Sequence, residues 1–77
     1  MFKVPKYFNS RQDAKEWLIN KGFRERRLND PKIFGSHIKE TQKGWWEARI
    51  FESNYHMRLE GVLVENIYKI DLHLYIA

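Results

Sequence analysis

The chain has 77 residues, no cysteine, and fourteen basic against ten acidic residues, for a net charge of +4. That length allows a single domain, 1–77, near the lower limit of what folds without a metal or disulfide, and the missing cysteines exclude a disulfide framework and thiol-based metal or redox chemistry. Three Trp, four Tyr and five Phe compensate with large apolar area per residue.

Residues 2–8 read as a short edge strand or extended arm, because Pro5 cannot donate to a central ladder. A helix follows over about 10–21. Ser10 with Asp13 three residues on is a weak capping box, Gly22 is the C-terminal stop, and Ala14, Trp17 and Leu18 form the apolar stripe. Residues 23–28 are compatible with either a loop or a short strand, and Asn29-Asp30-Pro31 reads as a turn.

Four strands are predicted after that turn, at about 33–40, 45–52, 55–64 and 67–76. The last two alternate strictly: Tyr55, Met57, Leu59, Gly61 and Leu63 share one face, and Tyr68, Ile70, Leu72, Leu74 and Ile76 share one face. A two-residue turn at Glu65-Asn66 would pair Leu59 with Leu72 and Met57 with Leu74, placing these two apolar sets on one side, with Val62 and Val64 on the other. A turn at Ser53-Asn54 would set Ile50 opposite Met57, Ala48 opposite Leu59 and Trp46 opposite Gly61. Before these, a three-residue loop with Gly44 left-handed in a bulge brings Ile38, Ser36 and Phe34 onto the apolar face. A four-residue loop would put Lys39 and His37 there instead, and the apolar pattern favours the shorter loop. The expected architecture is α+β: one N-terminal helix packed on a four-stranded antiparallel meander.

These registers make the reverse face the place to seek a function. They align His37, Arg49, Arg58 and His73 in one row, with Lys39, Glu47, Glu60 and Asp71 beside it and Trp45, Phe51, His56 and Tyr75 on the same side. Arginine forks suit phosphate or carboxylate, and aromatics among basic groups on an open sheet can stack the bases of a single strand. A solvated face, with the acidic row neutralising the arginines, is the competing reading. Lys21, Arg24, Arg26, Arg27 and Lys32 add a basic cluster between helix and sheet.

No histidine spacing matches a metal signature, Glu60 and Asp71 lack a cleft that would make them a hydrolytic pair, and the glycines fit no phosphate-cradling loop. The expectation is therefore a non-catalytic binding protein without cofactor or metal, engaging an acidic partner, most naturally nucleic acid or a nucleoprotein. Partner-binding candidates are His37, Trp45, Arg49, Phe51, Arg58, His73, Tyr75, Arg24, Arg26 and Arg27. The alternative is a protein-binding inhibitor or adaptor that takes one host protein, of the accessory type phages make against host defence enzymes. The long apolar final strand could also pair with its copy to form a homodimer. No segment is long enough to span a membrane and none resembles a signal peptide, so a cytoplasmic location is expected.

The run from Leu18 through Gly22-Phe23 to Gly35-Ser36-His37 resembles a segment of the small double-stranded-RNA-binding-like toxins that cleave mRNA. In that family a strand histidine is catalytic, which the resemblance would assign to His37. It covers a short part of the chain. The spacing between the glycines is longer than in those toxins, and residues 67–76 read as a strand where they carry a helix, so the family is not adopted.

Overall fold

The computed structural model describes residues 3–30, 35–53 and 67–76 in full, and the backbone of 57–59 and 62–64. One helix, α1 (Arg11–Asn20), packs on an antiparallel sheet of four strands. The α+β expectation stands.

Both ends of α1 are fixed by local chemistry. Ser10 takes the extended conformation of an N-cap, and its hydroxyl accepts a 3.0 Å hydrogen bond from the Asp13 N–H. Such a cap contributes about 1 kcal/mol. At the other end Lys21 caps the helix and Gly22 turns at φ +90°. The Gly22 N–H then donates to Ile19 O and the Phe23 N–H to Leu18 O, at 3.0 and 2.9 Å. This is a complete Schellman motif, and it delivers Phe23 into the core beside Leu18.

The strands are β1 (Arg24–Glu25), β2 (His37–Glu40), β3 (Gly44–Ser53), β4 (Met57–Leu59), β5 (Val62–Val64) and β6 (Ile67–Ile76). The sheet order is β1-β2-β3-β6, while β4 and β5 form a separate two-stranded sheet. The meander thus follows the chain, but its membership differs from expectation. The open question at 23–28 resolves as an edge strand, and the segment expected as a central strand at 55–64 becomes a separate hairpin within the β3–β6 connection. The pairings of Ile50 with Met57, Ala48 with Leu59 and Met57 with Leu74 are therefore not formed. In their place Trp46 faces Leu74, Ala48 faces Leu72 and Ile50 faces Ile70. Ten consecutive residues of β3 meet ten of β6, from Gly44↔Ile76 to Ser53↔Ile67, and this unbroken ladder fills the place expected for the 55–64 segment. Ser53, expected in a turn with Asn54, is instead the last residue of β3 and pairs with Ile67; Asn54, the turn expected at Glu65-Asn66, and Phe34, His56 and Glu60 lie outside the described residues.

The second correction concerns β2. Thr41 N–H donates to Gly44 O at 2.8 Å, and Glu40 pairs with Trp45. This register gives β2 the opposite parity to the three-residue loop. Gly44 belongs to β3, where a Cβ would collide with the Tyr75 carbonyl oxygen, so it is required by close approach of two strands. As a result His37 and Lys39 lie on the helix side, opposite Ala48 and Trp46, and Ile38 and Glu40 lie on the other. A lysine is tolerated there because its stem runs across Gly22 and its ammonium donates to Lys21 O at 2.7 Å, satisfying a carbonyl at the helix C-terminus.

The core between helix and sheet is Ala14, Leu18, Phe23, Ala48, Ile50 and Ile70, with Val4, Phe8, Trp17, Trp46, Tyr68 and Leu72 packed around it. The N-terminal arm enters it through Val4, and Phe8 forms an isolated antiparallel bridge with Tyr68 at the β6 edge.

Candidate functional site on the outer sheet face

The face of the sheet turned away from α1 carries Arg24 from β1, Ile38 and Glu40 from β2, the odd-numbered residues of β3 from Trp45 to Phe51, and those of β6 from Lys69 to Tyr75. Its cross-strand pairs are Trp45 with Tyr75, Glu47 with His73, Arg49 with Asp71 and Phe51 with Lys69. The expected row of His37, Arg49, Arg58 and His73 is not assembled. His37 is on the opposite face, Arg49 and His73 occupy successive rows, and β4, which holds Arg58, does not join the sheet; the Arg58 side chain lies outside the described residues.

What does assemble is an aromatic strip. Trp45 and Tyr75 stack with ring centroids 5.3 Å apart and planes 20° from parallel, and His73 tilts against Tyr75 at 4.3 Å. The Arg49 guanidinium lies 5.4 Å from the Phe51 ring centroid and donates to Asp71 at 3.0 Å. Trp45 Nε1 donates to Glu47 Oε2 at 2.8 Å. Glu47 is fully buried beneath this strip, and Ile38 beside it is 2% exposed. Burial and then the Glu47 charge push the Tyr75 phenol pKa up, so the hydroxyl keeps its proton.

Beyond Trp45 the face continues into a groove of about 370 Å³ lined by Asp30, Ile38, Glu40, Thr41, Gln42, Gly44 and Trp45. Asp30 reaches it because Arg24 clamps it: both guanidinium nitrogens donate to the carboxylate, at 2.7 and 3.1 Å, and one also reaches Glu40 at 2.5 Å. The Arg27 N–H adds a third bond to Asp30 at 2.7 Å. Hydrogen bonding from Arg24, then from Arg27, lowers the Asp30 pKa from 3.8 to about 2, and the same carboxylates raise that of Arg24. Of the expected basic cluster, Arg24 is thus matched by two acids, Arg27 is exposed and Lys32 is outside the described residues.

On the helix side His37 is 2% exposed. Its Nδ1 lies 2.8 Å from the Ser36 hydroxyl, and it forms the floor of a cavity of about 410 Å³ with Gln12, Lys15, Glu16, Ile19, Asn20 and Glu25 around it. Desolvation lowers its pKa from 6.5; Glu25 opposes that shift and Lys15 adds to it. The strip Trp45, Tyr75 and His73 was visible in the sequence as members of one face, but Glu47 as its buried support was not: a glutamate in an alternating strand reads as solvated. The only sequence signal was the indole two residues away on the same face. No family model matches the chain, and neither does any curated protein or solved structure.

Proposed function

We propose that the outer sheet face is a binding surface for single-stranded nucleic acid, with the aromatic strip as its stacking platform. The observation that carries this reading is the stacked Trp45–Tyr75 pair with His73 against it, on the face that α1 leaves uncovered. Base stacking on such rings accepts any sequence and is worth about 1–3 kcal/mol per base. Phe51 and Lys69 extend the platform along β3 and β6. Exposed Arg27 and the net charge of +4 provide attraction that does not depend on sequence. The near-complete enclosure of His37 favours a core role for it over contact with a partner.

A second reading follows from a different observation. Arg24 and Arg49, expected as phosphate contacts, are each paired with carboxylates within the fold. Tyr, Trp and Arg around a half-buried patch are also the usual anchors of a protein interface, so the partner in this reading is a single protein, as for an inhibitor or adaptor. Titration of labelled single-stranded RNA or DNA at rising salt separates the two. The nucleic-acid reading expects log affinity to fall linearly with log salt, with a slope of about −0.7 per phosphate engaged, and expects Trp45→Ala to weaken binding roughly 5- to 150-fold. Absence of binding at low salt overturns it in favour of the protein interface.

A further inference from the structure

We propose that β6 pairs with β6 of a second copy, joining two sheets into one across a twofold axis at His73. The Tyr68 N–H and C=O both bond to Phe8, at 2.9 and 2.7 Å, and so point away from β3. Backbone groups alternate along a strand, so those of Ile70, Leu72, Leu74 and Ile76 point outward as well. Among the described residues no strand meets them: β6 is the last strand of the sheet and its outer edge carries only the Phe8 bridge. The arm does not continue that bridge, because its backbone bends at Lys6 and Pro5 has no N–H to give.

Edges of this kind are ordinarily blunted by lysine, proline or a bulge. Between Ile70 and Ile76 there is neither lysine nor proline, and Leu74 and Ile76 are 41% and 72% exposed. Those two side chains, with Trp46, line an apolar groove on the helix side. Phe8 closes the edge at Tyr68 and β6 ends at Ile76, so the open stretch is 70–76 and its midpoint is His73. Antiparallel self-pairing about that midpoint sets Ile70 against the partner copy's Ile76 and Leu72 against its Leu74, as hydrogen-bonded pairs with apolar side chains together on the helix side. On the outer face Asp71 meets the second copy's Tyr75, and the two His73 side chains meet each other at the axis.

Neighbouring registers fit less well. A centre at Leu72 would bring Ile76 onto Tyr68, which Phe8 occupies, and a centre at Leu74 would leave Ile70 unpaired. Over 70–76, where no described strand meets the outward backbone groups of Ile70, Leu72, Leu74 and Ile76, the edge is thus complementary to itself, which singles out a second copy as its occupant. The consequence for the outer face is continuity: the two aromatic strips lie on one surface, with the β3 strands three strand spacings, about 14 Å, apart.

Cysteine cross-linking tests the register directly, since the chain has no cysteine of its own. The two His73 residues form a pair without hydrogen bonds, whose Cα atoms lie about 4.5 Å apart, within disulfide reach. His73→Cys is expected to form a covalent dimer under mild oxidation. Lys69→Cys is expected not to, because its two copies lie about 27 Å apart along the strand. Light scattering should give twice the chain mass for the wild type and the single-chain mass for Ile76→Lys, whose far-UV circular dichroism should not change because Ile76 is exposed in the single chain. A wild-type mass of one chain throughout the accessible concentration range overturns the proposal, and so does cross-linking of Lys69→Cys as fast as His73→Cys.

Discussion

Enclosing His37 between sheet and helix makes the stability of the fold depend on pH in a definite direction. Burial lowers its folded pKa below 6.5. Between 6.5 and that lower value the unfolded chain holds a proton that the folded chain does not, so acidification favours unfolding. The contribution of neutral His37 is fully present above pH 6.5. It is lost progressively as pH falls through the window and stops changing below the folded pKa. One proton sets the ceiling on the slope, about 1.4 kcal/mol per pH unit. Against a total stability of roughly 4–12 kcal/mol for a chain of this length, that is a large effect. The groups facing the ring are Lys15 and Glu16 from α1 and Glu25 from β1. Lys15 deepens the depression and Glu25 reduces it, so Lys15→Gln should raise the lower edge of the window, leave its upper edge at 6.5, and make the total loss smaller. Urea unfolding of wild type and His37→Asn at steps from pH 8 to 5 measures the effect. Both proteins keep the exposed His73 and the other histidine, so these cancel in the comparison. The wild type should lose stability on acidification and the variant should lose less. Equal slopes in the two proteins, or a wild type that gains stability on acidification, would refute the enclosure of a neutral ring.

Two further outcomes test the scaffold around the site. Gly35 sits at φ +55° with its Cα against the Ala48 carbonyl, where an added Cβ would collide with backbone, whereas the atoms nearest a Cβ on Gly22 belong to the Lys39 side chain, from 3.2 Å. Gly35→Ala should therefore cost more than the roughly 1–2 kcal/mol of a left-handed alanine, and Gly22→Ala about that amount, read as a larger drop in Tm for the first; equal drops would count against the strand contact. Asp30, its pKa lowered from 3.8 to about 2 by Arg24 and the Arg27 N–H, contributes stability above pH 3.8 that disappears as pH falls toward 2. Asp30→Asn should flatten the acid limb of the stability profile in that window, and an unchanged limb in the variant would show that the clamp does not act.

The features legible in the sequence were those decided by neighbours along the chain. Ser10, Asp13 and Gly22 bounded the helix to within a residue, because capping involves groups three or four positions apart. Period two likewise sorted Trp46, Ala48 and Ile50 onto one face of β3 and Ile70, Leu72 and Leu74 onto one face of β6. Which strand lies beside which was not decided locally. Two segments had the same alternation, and the choice between them rests on an uninterrupted ten-residue match in space. The parity of β2 failed for another reason. Apolarity placed Ile38 on the helix side, but Ile38 is buried on the outer face, and the helix side is filled by a neutral imidazole and a lysine stem. Neither group advertises itself as core material.

The buried Glu47 connects these corrections to the site. A carboxyl group held away from water is costly unless its oxygens are bonded, and here the Trp45 indole N–H supplies one bond at 2.8 Å. That bond fixes the indole plane, the indole fixes Tyr75 by stacking, and Tyr75 in turn carries His73. The strip is therefore set in place before any partner arrives, and little side-chain entropy is left to lose on binding. An exposed glutamate at position 47 would leave the same aromatic residues as separate, mobile groups. A glutamate pointing inward beneath Trp45 thus does for the outer face what Leu18 and Ile50 do for the inner one: it holds neighbouring side chains in one arrangement, by a hydrogen bond where the core uses packing.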